Sequence, residues 1–510
     1  MKDKFTALFK PADEYRLTSW LFLKILALIY FAAFFSLAVQ ISGLAGPNGL
    51  LPFHELLSNT HREMGQQAWW MLPNVFWLDA SDTALKGAAY GGALLAVLLF
   101  IGRSQLFALV GMFVLYLSLF HASGIFLGFQ WDTLLLETGF LAIFLSRNPT
   151  GLIIFLYHWL LFRFRFMSGI FKLESGDPAW SGLTALNTYF ETQPLPHIGS
   201  WYFHQLPEVI LKGGVLLTFA TELIIPFFIF LPRRFRLIAA AVTISMQLLI
   251  IATSNHNFVN LLIILLCLFL LDDRMVARLL PERLQQKIIN QGHPAGTFSK
   301  TALGLSAVLI LLSSLTSFYW RISNNPVPAV LSKTATMTHR YGIGHIFHIF
   351  PTMQTERQEL EIQGSYDGRN WHSYVFKYKP GALDRAPRFN IPHQPRLDWM
   401  MWFIPPQSRM DDYWFQQVRP RYWPCSKTTL SRRNHRVISG YWPISTTLPL
   451  PNSAHSQATG GHANISGGFP MSNQGARDSR DSLSWIDFKF QFACAVKARR
   501  WLIDPCNRFS

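Results

Sequence analysis

Acidic side chains are scarce in this 510-residue chain: 29 Asp and Glu stand against 45 Lys and Arg, and charged residues of both signs make up only 15%. Soluble domains carry about a quarter charged residues, so an ordinary aqueous surface is excluded. Cysteine is rarer still. Cys267, Cys425, Cys494 and Cys506 have no CxxC spacing and Cys267 lies inside an apolar run, which argues against a disulfide framework or a zinc site. No Walker-type glycine loop is present, so nucleotide hydrolysis is not expected. Internal repeats and paired broken helices, the marks of many transporters, are missing as well. The sequence offers no nucleic-acid motif, and no metal or cofactor is expected.

What remains is half hydrophobic and 15% aromatic, the profile of a membrane protein. Apolar runs that cover or nearly cover about 30 Å of hydrocarbon occur at 19–40, 87–101, 106–122, 127–146, 151–171, 209–231, 236–253, 257–271 and 302–320. The expectation is an α-helical polytopic membrane bundle of about nine spans over 19–322, after a basic N-terminus, 1–18, retained as a cytoplasmic segment. That orientation gathers Arg103, Arg147, the PRRFR stretch at 232–236 and the basic segment 272–300 on the cytoplasmic side, as the positive-inside rule asks. The net charge of +16 thereby belongs to loops beside anionic headgroups of the bilayer. Loops 41–86 and 172–208 then face outward with everything after Trp320. Loop 41–86 has the turn Gly46-Pro47-Asn48-Gly49 and the headgroup-level aromatics Trp69, Trp70 and Trp77, which suits a segment lying on the bilayer surface.

Past the last span a soluble β pattern begins. Leu360 and Ile362 alternate with Glu359, Glu361 and Gln363, the run Ser365-Tyr366-Asp367-Gly368 supplies a turn, and Tyr374, Phe376 and Tyr378 alternate again. A small extracytoplasmic all-β, sandwich-like domain is expected over 323–417.

Charges inside the apolar runs mark the candidate site. His158, Arg165 and Lys172 are seven residues apart and so share nearly one helical face. An Arg or Lys at the centre of a lipid-facing helix costs about 2.5–3.5 kcal/mol, so this stripe faces protein or a wet cavity, unless the residues near the helix end only snorkel to the interface. Asp132 and Glu137 in the fourth run and Glu222 in the sixth also need partners, and Glu137 and Glu222 are the natural ones for Arg163 and Arg165. Such a network is structural glue or, read as a site, orients Lys172. In the catalytic reading Lys172 is a general base positioned by Glu222 or His204. The segment RYGIGHIFHIFPTM at 340–353 puts His345 and His348 three apart, a weak metal spacing that suits a loop or interface better.

Several stretches together resemble the lipase maturation factor family: GLAGPNGLLP at 43–52, FQWDTLLLETGFLA at 129–142, YFETQPLP at 189–196, SWYFHQLP at 200–207, TELIIPF at 221–227, NFVNLL at 257–262, TERQELEIQGSYDGRNWHSYVFKYKPG at 355–381 and PHQPRLDWMMWF at 392–403. The resemblance covers roughly residues 15–417. It implies a multipass protein, of the endoplasmic reticulum in animals, that helps an exported lipase or related secreted client to an active, assembled state. The short connecting loops point to a bacterial chain, which places it in the cytoplasmic membrane, or in the endoplasmic reticulum membrane if the chain is eukaryotic. Trp180, Tyr189, Glu191, Trp201 and His204 in loop 172–208 would face that client. A shorter likeness, Ser168-Gly169-Ile170-Phe171-Lys172-Leu173 followed by Trp180, is similar to the membrane domain of vitamin K-dependent carboxylase, whose corresponding lysine is thought to act as a base; it implies the alternative, an enzyme acting on a lipid-like or peptide substrate.

From about Val418 the periodicity stops. Residues 418–510 read as a disordered or frameshifted tail: codons for PCSKTTLSRRNHR at 424–436 can, in another frame, encode LLKDNPFPEEPP, which resembles what the family carries after its tryptophan-rich motif.

Overall fold

Backbone N–H and C=O groups find no partner in hydrocarbon except within their own helix, and the computed structural model is accordingly helical. It describes residues 8–145, 149–290, 297–323, 325–365, 369–370, 372–382, 385–404, 413–417 and 427–434. The framework is α1 (Arg16–Ala38), α2 (Phe53–Met64), α3 (Asp82–Ile101), α4 (Gln105–Ser123), α5 (Gln130–Leu145), α6 (Gly151–Glu174), α7 (Ile198–His204), α8 (Glu208–Phe219), α9 (Arg233–Thr253), α10 (Val259–Leu266), α11 (Glu282–Asn290), α12 (Thr297–Ser323), α13 (Ala329–Arg340) and α14 (Arg396–Met400).

Among the described residues, seven helices are long and apolar enough to cross a bilayer: those built on α1, α3, α4, α6, α8, α9 and α12. The count falls short of nine because α5 has only 16 residues and α10 tightens into a 3-10 turn at Cys267–Leu270.

The basic end is tied by backbone and ion pairs. The Ala12 N–H donates to the Pro149 carbonyl at 2.9 Å, and Arg233 pairs with Asp272 at 2.5 Å. α1 has no cap of its own. Asp273, after α10, supplies one by accepting the N–H groups of Leu17 and Thr18 at 3.0 and 2.8 Å, a carboxylate placed where the helix dipole is positive.

At the opposite end the chain beyond α12 folds back onto the bundle. Arg396 of α14 forks onto Asp132 of α5 at 2.6 and 2.8 Å, and Tyr116 of α4 donates to the same carboxylate at 2.7 Å. Gln40, just past α1, accepts the Arg396 N–H at 2.8 Å and donates to the Gln394 carbonyl at 2.9 Å. Phe129, Trp131, Trp399 and Phe403 pack ring to ring around this corner.

In place of the sandwich expected over 323–417, the described residues form one small antiparallel sheet in the order β2-β1-β3, from β1 (Gln358–Ser365), β2 (His372–Ser373) and β3 (Lys427–Asn434). Leu360 and Ile362 do point inward and are buried, while the turn residues 366–368 lie outside the described residues. The second alternating stretch makes its last backbone bond to β1 at Tyr374, whose N–H donates to the Ile362 carbonyl at 2.8 Å. The N–H groups of Tyr378 and Lys379 turn instead to the Asp398 carboxylate of α14, at 2.6 and 3.0 Å. β3 falls in the stretch expected to be atypical and pairs with β1 from Gln358↔Asn434 to Ser365↔Lys427; residues 435–510 lie outside the described residues.

Removing one partner of a buried ion pair costs about 3–5 kcal/mol, whereas replacing both by apolar groups is often near neutral. Arg396→Met and Asp132→Leu should therefore each lower the unfolding free energy in detergent by about that amount, and the double variant should recover most of the loss. Single variants as stable as wild type would show that this pair does not hold the chain to the bundle.

Candidate functional site

Helix α6 is 24 residues of nearly unbroken apolar sequence, about 36 Å at 1.5 Å per residue. Its cations point into the protein. Arg163 and Glu137 are fully buried and paired. The other Glu137 oxygen accepts the Gly344 N–H at 2.9 Å, and Arg163 also donates to the His345 carbonyl at 2.7 Å. Gly344 has φ +74°, a left-handed conformation that glycine adopts without penalty.

About two and a half turns further along, Lys172 donates to Glu222 at 2.9 Å, to the Ile349 carbonyl at 2.8 Å and to its own helix at the Ser168 carbonyl, 3.4 Å away. It lies over the Trp180 ring, 5.2 Å from the centroid. Glu222 is delivered by a broken helix. Pro226 cannot donate to the carbonyl of residue 222, so α8 widens into a π turn at Ala220–Ile224 and continues as a 3-10 helix, Ile225–Phe230. Gly169 permits the approach: a Cβ there would come within 2.6 Å of Leu223 and 3.0 Å of Glu222.

The same pattern continues along the chain after α13. Trp180 donates to the Phe350 carbonyl at 3.2 Å, and Asp177 accepts the Met353 N–H at 2.6 Å. Arg357 then donates to the carbonyls of Glu191, Gln193 and Pro194 at 2.9, 2.5 and 3.2 Å and to Glu359 at 2.8 Å. Lys379 completes that cluster at 2.5 Å from Glu359. Residues 344–357 thus form a strap across the ends of α5 and α6, held at nearly every turn by buried polar side chains.

The structure brings Arg163 to Glu137, and Arg165 and Lys172 to Glu222, with Arg165 the more distant at 3.8 Å. Asp132 belongs to the separate Arg396 cluster. His158 is apart from the other cations of its stripe and bonds the Phe269 carbonyl at 2.7 Å. His204 stands 4.0 Å from Glu191 and is not among the partners of Lys172. Of the loop residues expected at the surface, Trp180 is interior, Tyr189 bonds Ser254 and His256 at 3.0 Å, and Glu191, Trp201 and His204 are half-buried. His345 stacks on His339 with ring centroids 4.4 Å apart; among the described residues no three His, Cys, Asp or Glu side chains converge as metal ligands.

Arg396, Tyr116, Asp177, Arg357 and Lys379 are the polar anchors that sequence reasoning did not single out. Two carried a signal: Arg396 lies in an aromatic run, PRLDWMMWF, and Asp177 precedes a proline at a helix start, where it caps Ala179 at 2.7 Å.

The comparisons follow this division of the chain. Residues 17–278 match the family model described as lipase maturation factor transmembrane domain. The chain belongs to the lipase maturation factor family. Residues 341–431 match the lipase maturation factor C-terminal domain, which begins where the strap does. The chain is 33% identical over 530 residues to human lipase maturation factor 2, covering 79% of this chain and 74% of the relative. It is 32% identical to the Gallus gallus protein of the same name, at 84% and 76% coverage, and 31% identical to Bos taurus lipase maturation factor 1, at 79% and 78%. No solved structure matches.

Acid should loosen the strap. Burial holds His339, His348 and His256 down at about 4 and pushes His345 well below its ordinary value. Unfolded, each titrates near about 6.5. Unfolding between these values takes up protons, so stability is complete above about pH 6.5 and declines as pH falls, by up to about 1.4 kcal/mol per pH unit per histidine. Glu359 adds to this lower down: burial alone raises its carboxyl, but Arg357 and Lys379 outweigh burial and hold it below the usual range, a contribution lost as pH falls through its folded value. Melting from pH 8 to pH 4 should show a plateau and then a fall; a flat profile would contradict the buried neutral histidines.

Proposed function

We propose that this member of the lipase maturation factor family assists the folding or assembly of an exported lipase or related hydrolase by binding it at the end of the bundle opposite the basic loops. With the basic end cytoplasmic, that surface faces outward from a bacterial cytoplasmic membrane, or into the lumen of the endoplasmic reticulum in a eukaryote. The observation that carries the reading is the union of loop 172–208 with the C-terminal segment. Arg357 fastens Glu191, Gln193 and Pro194, and Trp402 donates to the Thr192 carbonyl at 2.7 Å. The joint surface exposes Ile198 and Tyr202 beside Tyr189, Glu191, Trp201 and His204. Assistance then works by stabilising one client state through binding.

The catalytic reading of Lys172 has less support. An ammonium has three N–H donors, and Glu222, Ile349 and Ser168 supply three acceptors, which is the setting of a charged anchor and not of a proton acceptor. Secreted lipase activity per unit of lipase antigen, measured in cells lacking this protein and complemented with wild type, Lys172→Arg or Lys172→Met, tests both. Wild type and Lys172→Arg should restore specific activity, and Lys172→Met should fail along with its protein level. Restoration by wild type alone would favour a base; no effect of deletion would overturn the maturation role.

A further inference from the structure

The segment after β2 carries cations that the bundle does not use. Lys377, Tyr378, Lys379, Gly381, Arg385 and Arg388 line a cleft of about 220 Å³, the open solvent at its mouth included. Lys379 is spent inside the protein, on Glu359 and, at 2.9 Å, on the Leu360 carbonyl. Lys377, Arg385 and Arg388 have no carboxylate within pairing distance among the described residues. Arg385 donates to the Lys377 carbonyl and so folds the loop around the cleft, while Lys377 and Arg388 are exposed.

The surrounding acids do not balance this charge. Glu359 is shared by Lys379 and Arg357, and Asp398 accepts the Tyr378 and Lys379 N–H groups. Asp384, the one acid of the loop itself, lies outside the described residues. Counting all three acids against Arg357, Lys377, Lys379, Arg385 and Arg388 still leaves two positive charges in excess.

The depth of the cleft is set by its tie to a span. Helix α9 has 21 residues, about 32 Å, and so matches the hydrocarbon thickness of about 30 Å. Asn255, two residues beyond its last residue, donates to the Arg388 carbonyl at 2.8 Å and accepts the Asn390 N–H at 3.2 Å. That pins the rim of the cleft just past the hydrocarbon, at the level of the phospholipid headgroups. Phe389, between the two bonded residues, is 55% exposed and packs on His197 with ring centroids 5.2 Å apart. Ile198, the next residue after His197, is exposed as well, so apolar side chains flank the cations.

We infer that this cleft binds the phosphate of an anionic phospholipid in the leaflet opposite the basic loops, with Phe389 and Ile198 against the upper part of its acyl chains. Guanidinium groups match phosphate oxygens in pairs and an ammonium adds a point charge. Phosphate is the anion that the bilayer itself presents at this depth, whereas an acidic peptide would have to be carried down to the membrane surface. The excess of charge favours a headgroup with a net negative charge over a zwitterionic one. The inference stands without the maturation role.

Amide hydrogen exchange of the full chain in a neutral detergent reads the site locally, over 377–390. Dihexanoyl phosphatidylglycerol should slow exchange there saturably, at concentrations where dihexanoyl phosphatidylcholine and inorganic phosphate do not. Lys377→Gln combined with Arg388→Gln should raise the half-effective lipid concentration about tenfold or more. Both side chains are exposed, and unchanged exchange in α6 checks that the variant is folded. Absence of slowing, an equal effect of phosphatidylcholine or inorganic phosphate, or a response that survives the double substitution overturns the inference. Slowing by a glutamate-rich peptide and not by the lipid overturns it too, and gives the cleft to a protein segment.

Discussion

A guanidinium or ammonium inside a membrane bundle must find acceptors, and in this protein a large share of them are backbone groups of a segment that arrives much later in the chain. Arg163 and Lys172 donate to carbonyls 182 and 177 residues away, and Glu137 accepts an N–H 207 residues away. Each contact satisfies a charge and a peptide group together. An irregular strand of backbone lying at the end of a bundle would otherwise carry unpaired N–H and C=O groups, and buried charges facing it would be unpaired as well. The strap and the charged helices therefore stabilise one another, and removing either leaves the other in a costly state.

The same logic joins the two family regions. The transmembrane match ends at residue 278 and the C-terminal match starts at 341, yet Asp132–Arg396, Glu137–Gly344 and Lys172–Ile349 all cross between them. Loop 172–208, which belongs to the first, is fixed by Arg357 from the second. The end of the bundle opposite the basic loops is thus one assembled object.

Much of this was legible because charge in an apolar run is a strong signal. Glu137, Arg163, Arg165, Lys172 and Glu222 stand out in the sequence, and the need for partners brings them together. Their backbone partners were not legible, since a carbonyl has no letter, and so 340–353 read only as a loop or interface segment, without its anchors. Asp132 was visible but its partner was not: Arg396 is 264 residues away and nothing local links the two. Span counting failed where a helix is apolar but short, at α5 and α10, because hydropathy measures composition and not where the backbone leaves the helix. The alternation at 374–378 predicted a strand, and the aromatic side chains do pack against the core, but the Tyr378 and Lys379 N–H groups are taken by the Asp398 carboxylate and not by a neighbouring strand.

Amide hydrogen exchange across 341–357, in detergent or a lipid disc, tests the clasp most directly. The account predicts that the Gly344 and Met353 amides, held by Glu137 and Asp177, exchange as slowly as those of α6 and lose protection together in Glu137→Gln. Exchange at the rate of an open loop in the wild type, or protection untouched by that substitution, would contradict it.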